Sequence, residues 1–179
     1  MRRASAFNPI VALLPSRYRK LARVIIVLLL AAVGGGGSLF LQGKAVKVAD
    51  GDTLTLLDGA TTRTVRLYGI DAPEHGQAFG EAAGEFTRQR ALFQPVALEV
   101  FETDQYGRQV ALVRLADGSV LNEELIHNGL AMVYRNYCKE AFCQRWLALE
   151  EEARIARRGL WQQNKPTPPW VWRAKGKKR

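Results

Sequence analysis

The 179-residue, 20.0 kDa chain, 47% apolar and 24% charged, is long enough for one domain with a substantial core, too short for two, and neither disordered nor wholly membrane-embedded. Its formal net charge of +9 invites a nucleic-acid reading, but twelve of the 26 Lys and Arg residues lie in the first 23 and last 16 positions, which hold no acid. Between residues 24 and 163, 14 cations face 17 acids, so bulk charge excludes itself as an argument for a basic binding face and function has to be argued from a site.

Residues 24 to 41 are 18 uncharged positions, beginning with the apolar run Val24 to Val33 and passing through Gly34 to Gly37. As a helix they would cover about 27 Å, close to a bilayer core. A ten-residue apolar run before small residues also has the proportions of a signal peptide. Both readings mean export, because cations crowd the N-terminal flank and no acid precedes Asp50. Residues 1–41 are therefore expected to be a cytosolic basic flank with a signal peptide or transmembrane anchor. The domain would then lie outside the cytosol, at the membrane or, if cleaved, secreted or periplasmic. The glycine run is no phosphate loop, since Lys44 is followed by Ala45 and not by a Ser or Thr.

The globular part is expected over residues 42–163. Ala45 to Ala49, Thr53 to Leu57 and Arg63 to Tyr68 read as a three-strand meander around Asp50-Gly51-Asp52 and the turn at Asp58-Gly59. Glu81 to Leu92 is helical by pattern, with Phe79, Ala82, Phe86 and Phe93 as its apolar stripe and Pro95 closing it. Strands Val96 to Phe101 and Val110 to Leu115 follow, joined through Asp104-Gln105-Tyr106-Gly107-Arg108. A short helix from Leu121 to His127 stops at Gly129, and a last helix from Ala141 to Arg158 carries the stripe Trp146, Leu149, Ala153, Ala156 and Leu160. The fold class is thus mainly β with α: a five-stranded barrel of the OB type with about three helices. Residues 164–179, with Pro166, Pro168, Pro169, Trp170 and Trp172 before a basic end, read as a stiff, extended, solvated tail.

The hairpin supplies the first chemical constraint. With Leu57 opposite Arg63, antiparallel pairing puts Asp52 near Tyr68, and Asp71 lies just beyond that strand end. Adjacent carboxylates repel unless a cation or a shared proton sits between them, and a hard, oxygen-seeking ion such as Ca²⁺ is the economical answer. Zinc would want His or Cys, and the chain holds His75 and His127 as its two histidines. Glu74, after the rigid Pro73, brings a third carboxylate able to orient or deprotonate a water. Arg66 and Arg108 beside such a site suit a phosphodiester, whose reacting oxygens gain charge. Taken singly, each of these residues also reads as an ordinary turn residue or surface charge.

Asp50-Gly51-Asp52-Thr53, then Arg66-Leu67-Tyr68-Gly69-Ile70-Asp71-Ala72-Pro73-Glu74, then Asp104-Gln105-Tyr106-Gly107-Arg108 resemble, in order and spacing, the signatures of the staphylococcal nuclease family. The resemblance runs from about Leu41 to Gly159-Leu160-Trp161. It implies that Asp52, Asp71 and the Ala72 carbonyl bind Ca²⁺, that Glu74 activates or positions the attacking water, and that Arg66 and Arg108 clamp the phosphoryl group. It further implies cleavage of DNA and RNA at the 5′ P–O bond to leave 3′-phosphates, by a monomer. Tyr106 matches the family's phosphate-side tyrosine. Tyr134 matches a second nucleotide-contacting tyrosine, with core packing as the alternative. Export makes a Cys138–Cys143 disulfide an expectation, two free thiols being the alternative. A non-catalytic OB module holding nucleic acid or protein at the membrane is the competing function; the full acidic and arginine set disfavours it.

Overall fold

The computed structural model describes residues 40–176. Nearly all of the expected leader and anchor, residues 1–41, lies outside the described residues. Among the described residues no helix is long and apolar enough to cross a membrane.

Among the described residues seven strands run in chain order: β1 (Phe40–Val48), β2 (Thr53–Asp58), β3 (Thr61–Leu67), β4 (Ile70–Asp71), β5 (Pro95–Thr103), β6 (Gln109–Arg114) and β7 (Met132–Val133). Between and after them come helices α1 (Gly80–Ala91), α2 (Leu121–His127), α3 (Cys143–Ile155), a 3-10 turn (Gly159–Gln162) and α4 (Pro169–Gly176). Five strands close into a barrel in the order β1-β2-β3-β6-β5, and β4 pairs with β7 in a separate two-stranded sheet. The β3–β6 contact is parallel and the other four are antiparallel, so the expected OB-type α+β barrel is what the chain forms. The described residues form four α-helices where about three were expected.

Alternation fills the barrel. On β2 Leu54 and Leu56 are buried while Leu57 is exposed, and on β3 Val65 and Leu67 are buried on either side of Arg66. Arg66 is thereby turned away from the apolar interior. Leu98, Val113, Leu121, Leu125, Ile126 and Trp146 complete the core.

Three expectations shift. The β2–β3 hairpin closes on Asp58 opposite Thr61 over the two-residue loop Gly59-Ala60, so Leu57 faces Thr62 and Arg63 faces Leu56. Asp52 therefore stands opposite Leu67, whose N–H donates to the Asp52 carbonyl at 2.8 Å, and not opposite Tyr68. Helix α1 buries Ala83, Thr87 and Ala91, leaving Ala82 and Phe93 exposed. The barrel loop approaches α1 too closely for large side chains, and only small ones fit at the contact. The tail is no solvated strip either: Pro169 is buried and opens α4, a position where its fixed φ and missing N–H suit a helix start. Trp170 stacks on Tyr134 with ring centroids 4.8 Å apart and planes at 5°, which docks α4 on the domain.

Candidate active site

The loop between β1 and β2 carries Asp52. Its shape is set locally: the Asp52 N–H donates to Asp50 Oδ1 at 3.0 Å, an Asx turn, and the Ala49 N–H donates to the Thr53 carbonyl at 2.9 Å. Gly51 is required by close approach, because a Cβ there would stand 2.7 Å from the Cβ atoms of both Ala72 and Ala83. Thr87 on α1 donates its hydroxyl to the Gly51 carbonyl at 2.6 Å. The loop is thus pinned between α1 and the segment after β4.

Asp71 ends β4, which pairs Asp71 with Met132 and Ile70 with Val133 on β7. The two acids meet across this frame. Asp52 Oδ2 accepts the Ala72 N–H at 2.6 Å, and its Oδ1 accepts the Thr53 hydroxyl at 3.1 Å. Arg66, on β3, lies between them: Nη1 is 2.5 Å from Asp52 Oδ1, and Nη2 pairs with Asp71 Oδ1. Both carboxylates are almost fully buried, at 1% and 0% exposure.

Burial governs the electrostatics. It pushes the Asp52 carboxyl up to about 8, against the pull of Arg66 and with help from the charges of Asp50 and Asp71. Burial also raises Asp71, against Arg66 and Arg173. For Arg66, burial opposes the charge, but Asp52 and Asp71 outweigh it and hold the guanidinium above its ordinary value. Asp71 Oδ2 is buried and meets no hydrogen-bond donor. Two buried carboxylates, one with an unpartnered oxygen, form the donor chemistry a hard cation takes, with the neighbouring Ala72 available through its carbonyl. Among the described residues no group of three or more His, Cys, Asp and Glu side chains is arranged to hold a metal, so an ion here draws on backbone oxygen or water as well.

Glu74 follows in the next turn, its N–H donating to Gln77 Oε1 at 3.1 Å. It shares one partner with Asp71. Arg173 of α4 places Nη2 2.6 Å from Asp71 Oδ1 and Nε 2.5 Å from Glu74 Oε1. Sequence reasoning missed Arg173, because it assigned the cation to a solvated tail. The signal that could have found it is the proline pair Pro168-Pro169 opening an eight-residue segment with two tryptophans. Asn122 was also missed as a structural holder: fully buried, it donates to the Tyr68 carbonyl at 3.0 Å and accepts the Val113 N–H at 3.1 Å.

Arg108 sits where β6 begins, one residue before the Gln109 that pairs with Val65 beside Arg66. A tight turn presents it, with Gly107 at φ 77° and the Gly107 N–H donating to the Asp104 carbonyl at 2.9 Å. Its guanidinium is held by Asp104 rather than by the buried acids, Nε to Oδ2 at 2.7 Å. Tyr106 is 71% exposed, with its ring 5.4 Å from the Arg108 guanidinium carbon. Tyr134 directly follows β7. Between Trp170 and Tyr137 it forms part of the wall of a cavity of about 720 Å³ whose lining includes Arg135, Arg154 and Arg157. Cys138 and Cys143 are joined in a disulfide with their Cα atoms 5.8 Å apart, tying the loop after β7 to the first residue of α3. His75 pairs with Glu81 at the surface, 2.5 Å away.

A protein-family model described as "Staphylococcal nuclease homologue" matches residues 64–163. The chain belongs to the staphylococcal nuclease family. It is 35% identical over 133 residues to an Escherichia coli protein named "Uncharacterized endonuclease", covering 74% of this chain and 85% of that one. It is 36% identical over 144 residues to a Shigella flexneri protein named "Micrococcal nuclease", covering 76% and 82%. A Haemophilus influenzae "Uncharacterized endonuclease" is 35% identical over 135 residues, covering 75% and 74%. The chain is an SNase-like nuclease, with nucleic acid as the substrate that family membership implies.

Proposed function

We propose that this SNase-like nuclease is a Ca²⁺-dependent phosphodiesterase that hydrolyses DNA and RNA at the 5′ P–O bond and leaves 3′-phosphate ends. The observation that carries the reading is the convergence of Asp52 and Asp71 on Arg66, with Asp71 Oδ2 buried and without a donor. Asp52, Asp71 and the Ala72 carbonyl would hold the ion. When bound, it supplies positive charge to two buried carboxylates and to a phosphoryl oxygen, and so stabilises charge that develops in the reaction.

The protein's own groups then divide the work. Glu74, more open to solvent than the two aspartates at 31% side-chain exposure, accepts the proton of the attacking water. Arg66 is already oriented by two acids and offers its remaining N–H groups to the phosphoryl oxygens without reorganising. Asp104 fixes Arg108 through Nε, which leaves the terminal nitrogens to meet a phosphate. Tyr106 lies beside that guanidinium and lines the phosphate's approach. Trp170 covers the Tyr134 ring, so a neighbouring nucleotide would meet Tyr134 at its edge and the arginines of its cavity through phosphate. The 5′ oxygen departs and takes a proton from water.

Export of the domain is part of the proposal. The apolar segment from Val24 and the disulfide between Cys138 and Cys143 support a destination outside the reducing cytosol. Incubation of the purified protein with DNA or RNA, in calcium or in chelator, tests the activity. The expected outcome is cleavage with calcium only, into products with 5′-hydroxyl ends whose 3′ ends a polymerase extends only after a 3′-phosphatase; equal cleavage in chelator contradicts the ion's role.

A further inference from the structure

The acids at positions 52, 71 and 74 carry three formal negative charges, and Arg66 and Arg173 return two positive ones. Without Arg173 the balance is two negative charges, the complement of one divalent ion. Arg173 also bonds to the same Asp71 Oδ1 that Arg66 holds, and it bridges from there to Glu74. One guanidinium therefore ties up a proposed ion ligand and the proposed water-handling carboxylate together.

The contact is built rather than incidental. Trp170, one helical turn before Arg173, stacks on Tyr134. Thr167 accepts a hydrogen bond from Gln77 Nε2 at 2.7 Å, and Gln77 Oε1 in turn receives the Glu74 N–H. The loop bearing Glu74 and the segment leading into α4 are thus joined at a backbone and at two side chains.

We propose that Arg173 is a tethered counter-ion that competes with the divalent ion for Asp71 while it occupies Glu74, making α4 an intrinsic brake that ion and nucleic acid together displace. The inference rests on reading Asp71 as an ion ligand. It assigns residues 164–176 a task within the active site, where the sequence suggested a solvated tail. Displacement would also bring the guanidinium next to the incoming phosphates, an anionic partner to which it can transfer.

Calcium calorimetry on the full-length chain tests it without any cleavage step. Arg173→Ala is expected to bind Ca²⁺ about ten- to hundredfold more tightly than wild type, the scale of one lost charge-assisted contact. Trp170→Ala, which loosens α4 without touching an acid, is expected to tighten binding in the same direction by a smaller factor. Equal or weaker affinity in both variants overturns the brake and leaves the nuclease reading standing. Absence of calcium binding in all three proteins overturns both.

Discussion

The Glu150 carboxylate accepts the Val133 N–H at 2.8 Å, so a buried acid on α3 holds the strand that pairs with Ile70 and Asp71. Burial raises the Glu150 pKa, against the Val133 N–H and the charges of Arg154 and Arg135. A carboxyl with a raised folded-state pKa binds more protons in the native than in the unfolded chain. Its contribution is therefore greatest in acid and declines as pH rises from its ordinary range through the shifted value. Glu150→Gln keeps an acceptor for Val133 and removes the titration. Urea midpoints between pH 4 and pH 7 are expected to fall less steeply in the variant than in wild type; identical slopes would contradict the assignment.

The strands and the acids are legible in the sequence because period-two alternation and the motif around Asp52 and Asp71 are local patterns. What was not legible depends on contacts distant in sequence. The hairpin register turned on whether Gly59-Ala60 closes as a two-residue loop, and a one-residue slip is enough to misplace the partner of Asp52. The buried face of α1 follows from the closeness of Gly51 to Ala83, which favours small residues at that contact and leaves Phe93 exposed. Arg173 was hidden because its partners lie 99 and 102 residues away.

Gly51→Ala tests that close approach. The added methyl meets two rigid Cβ atoms at 2.7 Å, one on a helix, so either the loop or α1 must move. An overpacking loss of about 1–3 kcal/mol is expected from chemical unfolding. Turnover is expected to fall as well, since the loop carries Asp52. A variant as stable and as active as wild type would show that the contact is slack.

Arg66 is both counter-ion and proposed phosphate ligand, and two substitutions separate these. Arg66→Ala leaves two buried carboxylates short of their charge partner and should cost about 3 kcal/mol in chelator, with calcium returning part of the loss. Arg66→Lys keeps a cation but not the two-pronged geometry. It should stay folded while its kcat falls by about a hundredfold. Thermal unfolding and single-turnover rates, measured side by side, check both outcomes.

The Cys138–Cys143 bridge closes a short loop before α3. Reduction, or the double change to Ala, is expected to lower stability by about 2 kcal/mol through the freedom it returns to the unfolded chain. No proposed catalytic group lies within the loop, so kcat at a temperature where both forms are folded should change less than about threefold, far below the hundred- to ten-thousandfold span of general acid–base contributions. Paired denaturation and rate measurements with and without reductant decide it.

Glu74→Gln tests the central claim most directly, measured as kcat on DNA together with calcium affinity by calorimetry. A fall in kcat of about a hundredfold or more is expected, because the proton acceptor is lost while Asp52 and Asp71 remain, with calcium binding retained. Turnover at the wild-type rate in that variant would contradict it.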